Sequence, residues 1–121
     1  MTAGFKFEGS GKFHLTLNHY KNNPKYEDIA GIKCYSSVGN LPERIDTALI
    51  ALTAKLVPDS LRECAQQGIK TAIIYSAGFA ETGEEGKHKQ EELRQIIRQG
   101  KMKVCGPNCI GIVNFAENTA M

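Results

Sequence analysis

No apolar run in these 121 residues approaches the roughly 20 that a bilayer-crossing helix needs, so no membrane span is expected. The N-terminus, Met1-Thr-Ala-Gly-Phe-Lys-Phe-Glu8, lacks the apolar segment of a secretory signal, which makes a reducing cytoplasm the expected compartment. An excess of charge of one sign is also missing. The formal net charge is +2 and no basic block stands out, so nucleic acid is not an expected partner. Cysteine pairs with two intervening residues are missing. Cys105-Gly-Pro-Asn-Cys109 has three, and Cys34 and Cys64 supply no second close pair, so the thiols are expected to be structural or incidental. His14, His19 and His88 are scattered without metal-ligand spacing, and neither a metal site nor a catalytic histidine is expected. Phosphate-loop signatures fail as well. Gly78 and Gly83 have the glycine spacing of a Walker A loop, but Glu84 stands where its lysine belongs, and no Gly-x-Gly-x-x-Gly follows a strand. This argues against an NTPase or a simple NAD site.

What is present is an ordinary globular composition, 41% hydrophobic and 23% charged, of a size for one domain. Its centre is Lys70 to Gly86, where the apolar run Ala72-Ile-Ile-Tyr75 predicts a strand covered on both faces, followed by a loop of small residues, Ser76-Ala-Gly78. Ile45 to Leu52 predicts a second central strand with Thr53-Ala-Lys55 as its exit loop. Pro58 suits the first turn of a helix whose apolar face is Val57, Leu61, Cys64 and Ala65 and which Gly68 stops. Glu84 to Gln99 predicts a polar helix with Leu93, Ile96 and Ile97 as its stripe, acidic at its start, basic near its end and terminated by Gly100. Met102 to Cys105 predicts another strand, and Gly106-Pro-Asn108 turns the chain into Ile110 to Val113.

The N-terminal part reads less regularly. Phe13 to His19 alternates like a strand, Asn22-Asn-Pro24 signals a turn, Glu27 to Ala30 fits about one helical turn, and Ile32 to Tyr35 fits a short edge strand. Two βαβ units with short connections imply a parallel sheet with helices on its faces. The loops at residues 22–25, 53–55, 76–80 and 106–108 then share one sheet edge, provided the first segment is a parallel strand. Glu81, Glu84 and Glu85 would repel an anion, so the loop after the central strand should meet a neutral ligand portion, with phosphates near Lys25 and Lys55. The competing reading makes these lysines solvated surface groups beside ordinary loops.

The motifs Asn23-Pro-Lys-Tyr26, Gly31-Ile-Lys-Cys-Tyr35, Leu41-Pro42, Ile45-Asp46, Ser76-Ala-Gly-Phe-Ala-Glu81, Thr82-Gly-Glu-Glu-Gly86 and Gly106-Pro-Asn-Cys-Ile-Gly111 occur in one order. In that order the chain resembles the CoA-binding domain of the NDP-forming acyl-CoA synthetases, relatives of the succinyl-CoA synthetase alpha subunit, over roughly residues 22 to 115. The resemblance implies an α/β, Rossmann-like parallel sheet with helices on both faces. It also implies CoA as ligand or co-substrate, held by Asn23, Pro24, Lys25, Tyr35, Thr53, Ala54, Lys55, Ser76, Ala77, Gly78, Pro107 and Asn108. The family's opening strand, glycine-rich loop and helix need about 30 residues, more than precede Asn23. The expectation is therefore a partial domain over 22–121 behind an atypical segment, 1–21, and an apolar sheet edge that favours self-association. No histidine here matches the family's phosphohistidine, and no ATP-grasp region is recognisable, so the chain alone is expected to be inactive and to need other synthetase domains or subunits. The alternatives are a CoA-sensing module of a protein acetyltransferase and a vestigial domain that binds nothing.

Overall fold

The computed structural model describes residues 2–5, 21–22, 28–29, 32–42, 44–115 and 119–120. In chain order the elements are β1 (Thr2–Phe5), β2 (Lys21–Asn22), β3 (Asp28–Ile29), β4 (Ile32–Tyr35), β5 (Thr47–Ile50), α1 (Val57–Gln66), β6 (Thr71–Ile74), α2 (Glu84–Gly100), β7 (Lys103–Cys105), β8 (Val113–Asn114) and β9 (Thr119–Ala120). The central sheet has the order β1-β5-β6-β7, in which β5, β6 and β7 are parallel. Leu49 pairs with Ile73, and Ile73 in turn with Cys105. The parallel sheet with helices, Rossmann-like in its βαβ connections, is the expected architecture.

Alternation along β6 explains its apolar run. Ala72 and Ile74 join the core beneath the helices, while Ile73 points the opposite way and is buried there too, so both faces exclude water. With β5, β6 and β7 side by side in sequence order, two right-handed crossovers bring their helices to the same face. The contacts agree: Arg62 of α1 pairs with Glu92 of α2, and a Cβ at Gly100 would stand 2.8 Å from the Cβ of Ala65. Of the two sheet faces expected to carry helices, the described helices cover this one.

The helix ends are closed by one device used twice. After α1, Gly68 at φ 78° donates its N–H to the Ala65 carbonyl and Ile69 donates to Cys64. After α2, Lys101 at φ 50° donates to Arg98 and Met102 donates to Ile97. Both are Schellman closures, and each seats its next residue, Ile69 or Met102, in the core. Gly68 therefore stops α1 as expected. Gly100 does not supply the left-handed residue of α2; Lys101 does, and Gly100 has no side chain because α1 passes too close.

Three N-terminal expectations change. Asp28 and Ile29 are extended and pair with Lys33 and Ile32, so backbone pairing replaces the expected helical turn. Ile32–Tyr35 is the middle strand of a small β2-β4-β3 sheet, not an edge, because β2 joins it in parallel at Cys34 and Tyr35. The open edge expected beside β5 is paired: Thr2–Phe5 runs antiparallel to Thr47–Ile50 over four residues, which removes that reason for self-association. The strand expected over Phe13 to His19 lies outside the described residues.

Candidate functional site

Three parallel strands end at the same sheet edge, and their exit loops are joined by hydrogen bonds and close contacts. Beyond β5, the chain enters a 3₁₀ turn over Ala54–Leu56, closed by the Leu56 N–H donating to the Thr53 carbonyl at 2.9 Å. The β6 exit reaches across to it. Ser76 is only 6% exposed, and its Oγ accepts the Leu52 N–H at 3.0 Å, tying the two strand ends. Gly78 then turns with φ 102°, and a Cβ there would lie 3.0 Å from that of Ala54. From the other side, the loop after β7 donates Asn108 N–H to the Ser76 carbonyl at 2.9 Å and Cys109 N–H to the Ile74 carbonyl at 3.2 Å.

The β6 loop continues into a second 3₁₀ turn, Ala80–Thr82, and two features hold its shape. Phe79 is fully buried among the helix-side core residues, so its side chain anchors the loop by the hydrophobic effect. Glu81 turns back and accepts the Gly78 N–H through Oε1 at 2.6 Å. That bond from Gly78, with the nearby backbone N–H groups of Glu81 and Phe79, holds its carboxyl below the usual carboxylate range. From its charge alone, Glu81 is expected to repel anions from the loop. In the structure it serves as the loop's own anion, occupying donors that would otherwise face solvent or a phosphate. Gly86 completes the arrangement: a Cβ there would meet the Phe79 carbonyl oxygen at 1.7 Å, so only glycine lets the turn rest on α2.

Thr53, Ala54, Lys55, Ser76, Ala77, Gly78, Pro107 and Asn108 are thus brought to one edge by β5, β6 and β7. Thr53, Lys55, Ala77 and Asn108 are exposed there, whereas Ser76 is turned inward as a structural link. Tyr35 ends β4, in the separate three-stranded sheet. Asn23, Pro24 and Lys25 lie outside the described residues, and the strand before them, β2, pairs with β4 and is not a member of the central sheet. A cavity of about 290 Å³ lined by Val38, Leu41, Arg44, Ile45, Gln67 and Ile69 opens at the opposite end, where β5 and β6 begin. It is remote from the converging loops.

The family model of the CoA binding domain matches residues 18–114. The chain belongs to the CoA-binding domain family. The match runs through every strand-end loop just described. An alpha subunit of an ADP-forming acetate–CoA ligase II from Pyrococcus furiosus is 42% identical over 99 residues, 82% of this chain and 22% of that protein. A Pyrococcus horikoshii protein of known crystal structure superposes with a TM-score of 0.74 at 42% identity, over 80% of this chain and 23% of that one. A dinucleotide-forming acetyl-coenzyme A synthetase from Ca. Korarchaeum cryptofilum, solved with phosphate and ADP, gives 0.70 at 31% identity, over 79% of this chain and 20% of its own. This CoA-binding domain therefore corresponds to about a fifth of the relatives' length. Among the described residues no helix is long and apolar enough to cross a membrane, and no group of three metal-ligating side chains occurs.

Proposed function

We propose that the chain binds CoA or acyl-CoA along the edge formed by the exits of β5, β6 and β7, as the CoA-binding part of an ADP- or GDP-forming acyl-CoA synthetase. The observation that carries this reading is the joined set of exit loops within the region matched by the CoA binding domain family, at the strand-end edge where open α/β sheets take their ligands. Glu81 fills the backbone donors of the β6 loop, which favours an uncharged ligand portion against Ala77 and Gly78. Lys55, exposed on the neighbouring turn, and Lys25 attract the phosphates. Thr53, Ala54, Pro107 and Asn108 flank the ligand, and Asn23, Pro24 and Tyr35 contribute further contacts. Phosphoryl transfer falls to other synthetase domains or subunits. Exposed large apolar side chains after the last loop, Ile110 at 99% and Phe115 at 88%, favour such a partner surface.

Calorimetric titration with CoA and with pantetheine tests the assignment. Lys55→Glu should weaken CoA binding roughly five- to tenfold, the size of one exposed charge reversal, and leave pantetheine nearly unchanged. Equal losses for both ligands, or no CoA binding by the wild-type protein at millimolar concentration, would overturn it.

A further inference from the structure

The turn after β7 does something its sequence spacing does not suggest. Three residues separate Cys105 from Cys109, yet Gly106 at φ 100° and Asn108 at φ 56° fold the loop so that the two sulfurs lie 3.5 Å apart. Cys105 is exposed and Cys109 half-buried. Cys109 Sγ is also within hydrogen-bonding distance, 3.4 Å, of the Gly111 carbonyl. The backbone around the pair is held to the central strand by the Asn108–Ser76 and Cys109–Ile74 bonds, so the sulfurs have a fixed frame. Closing them to a bond requires an approach to about 2.05 Å, a distance that side-chain rotation can supply in large part.

We propose that Cys105 and Cys109 form a redox-responsive dithiol that a low-molecular-weight disulfide converts to an intramolecular disulfide, weakening ligand binding at the adjoining strand-end edge. The exposed Cys105 thiolate attacks one sulfur of the small disulfide, forming a mixed disulfide and expelling the first small thiolate. The Cys109 thiolate then attacks the Cys105 sulfur, forming the intramolecular bond and expelling the second. The two protons lost by the cysteines are taken up by the two small thiolates, so the protein dithiol is oxidised by two electrons and the reagent reduced by two. Drawing the sulfurs together shifts Asn108, whose N–H holds Ser76, the residue that links the β5 and β6 exits.

The Cys64 thiol provides an internal control. It is fully buried on the core face of α1, and burial pushes its pKa up to about 12, so it should stay reduced. In Cys105 the hydrogen bond with Cys109 raises the pKa, which slows the first attack and makes mildly alkaline solution the suitable condition.

The coupling to ligand binding rests on the CoA reading; the dithiol does not. The full chain, reduced and then incubated with oxidised glutathione at pH 8, is digested after quenching. Cleavage after Lys103 leaves both cysteines in one peptide. That peptide should become lighter by two hydrogens, while the Cys64 peptide stays reduced. Cys109→Ser should instead accumulate glutathione on Cys105. A wild-type peptide that remains fully reduced, or that keeps glutathione on Cys105, would overturn the dithiol. Titration of the oxidised and reduced protein with CoA should show a three- to tenfold weaker affinity after oxidation, about what one displaced hydrogen bond produces. The Cys105→Ser/Cys109→Ser double variant should not respond to the treatment. Equal affinities in the two wild-type forms would overturn the coupling. No binding by the reduced protein would instead count against the CoA reading, and the mass measurement would still decide the dithiol.

Discussion

The two ends of the central sheet are built on different principles. Where β6 and β7 begin, each helix closes in a Schellman motif and delivers an apolar residue, Ile69 or Met102, straight into the core. Where β5, β6 and β7 finish, the chain leaves through turns held by backbone and hydroxyl hydrogen bonds, with Gly78, Gly106 and Asn108 at positive φ. The first end is held by burial, and the second by these turns together with one buried anchor, Phe79. The consequence is a division of labour: the first end only closes the core, while the second, anchored through Phe79, also presents backbone and polar groups to a ligand.

Phe79 is the test that could break this contrast, because it belongs to the ligand-side loop yet is fully buried. Phe79→Ala should cost about 3–5 kcal/mol in denaturant unfolding, as for other buried aromatic truncations. A loss below 1 kcal/mol would mean that the loop is not anchored in the core. Ile69→Ala should sharpen the contrast from the other end. It should cost about 2–5 kcal/mol while leaving the CoA dissociation constant of the folded protein unchanged. A matching loss of CoA affinity would show that the two ends are coupled.

Glu81 offers a smaller, local effect. Its carboxyl is held below the ordinary value in the folded protein by backbone N–H bonds, so its contribution is fully present above the unfolded carboxylate pKa. That contribution is lost as pH falls through the depressed folded value. Amide exchange at Gly78, followed by NMR against pH, should quicken across that acidic window beyond the intrinsic rate. Glu81→Gln should remove the dependence, and an unchanged profile in the variant would show that Glu81 does not hold the loop. The smallest change expected is a gain. Lys101 occupies a left-handed position, so Lys101→Gly should stabilise the protein by about 0.5–1 kcal/mol. A loss would indicate that the lysine side chain contributes more than its backbone strain costs.

Much of the sheet was legible because local signals agreed with one another. Continuous apolar runs marked β5 and β6, Pro58 marked the start of α1, and the acidic-to-basic order of α2 matched its dipole. Glu27 to Ala30 misled because a few polar and apolar residues fit a helical turn or a strand equally well, and pairing with β4 decides the matter. Gly100 misled for a related reason. A glycine after a helix signals termination, but here the demand is for space against Ala65. In the candidate site the convergence of the loops follows from the strand order, whereas the side-chain positions do not. No local pattern indicates that the Ser76 hydroxyl turns inward to the Leu52 N–H or that Glu81 accepts the Gly78 N–H as the loop's internal anion.

By itself, the sequence determined the α/β class, the positions of both long helices and the CoA-binding family. Periodicity, turn residues and ordered motifs are properties of neighbouring residues, and they survive without knowledge of what lies across the fold. Only the tertiary structure decided that β1 covers the edge of β5, that three exit loops are tied through Ser76, and that Cys105 and Cys109 meet. Each of these depends on a distance between groups whose approach is set by strand register and by φ at single turn residues. A change of one residue in register turns every side chain of a strand to the other face, and no local pattern records which register packing will select.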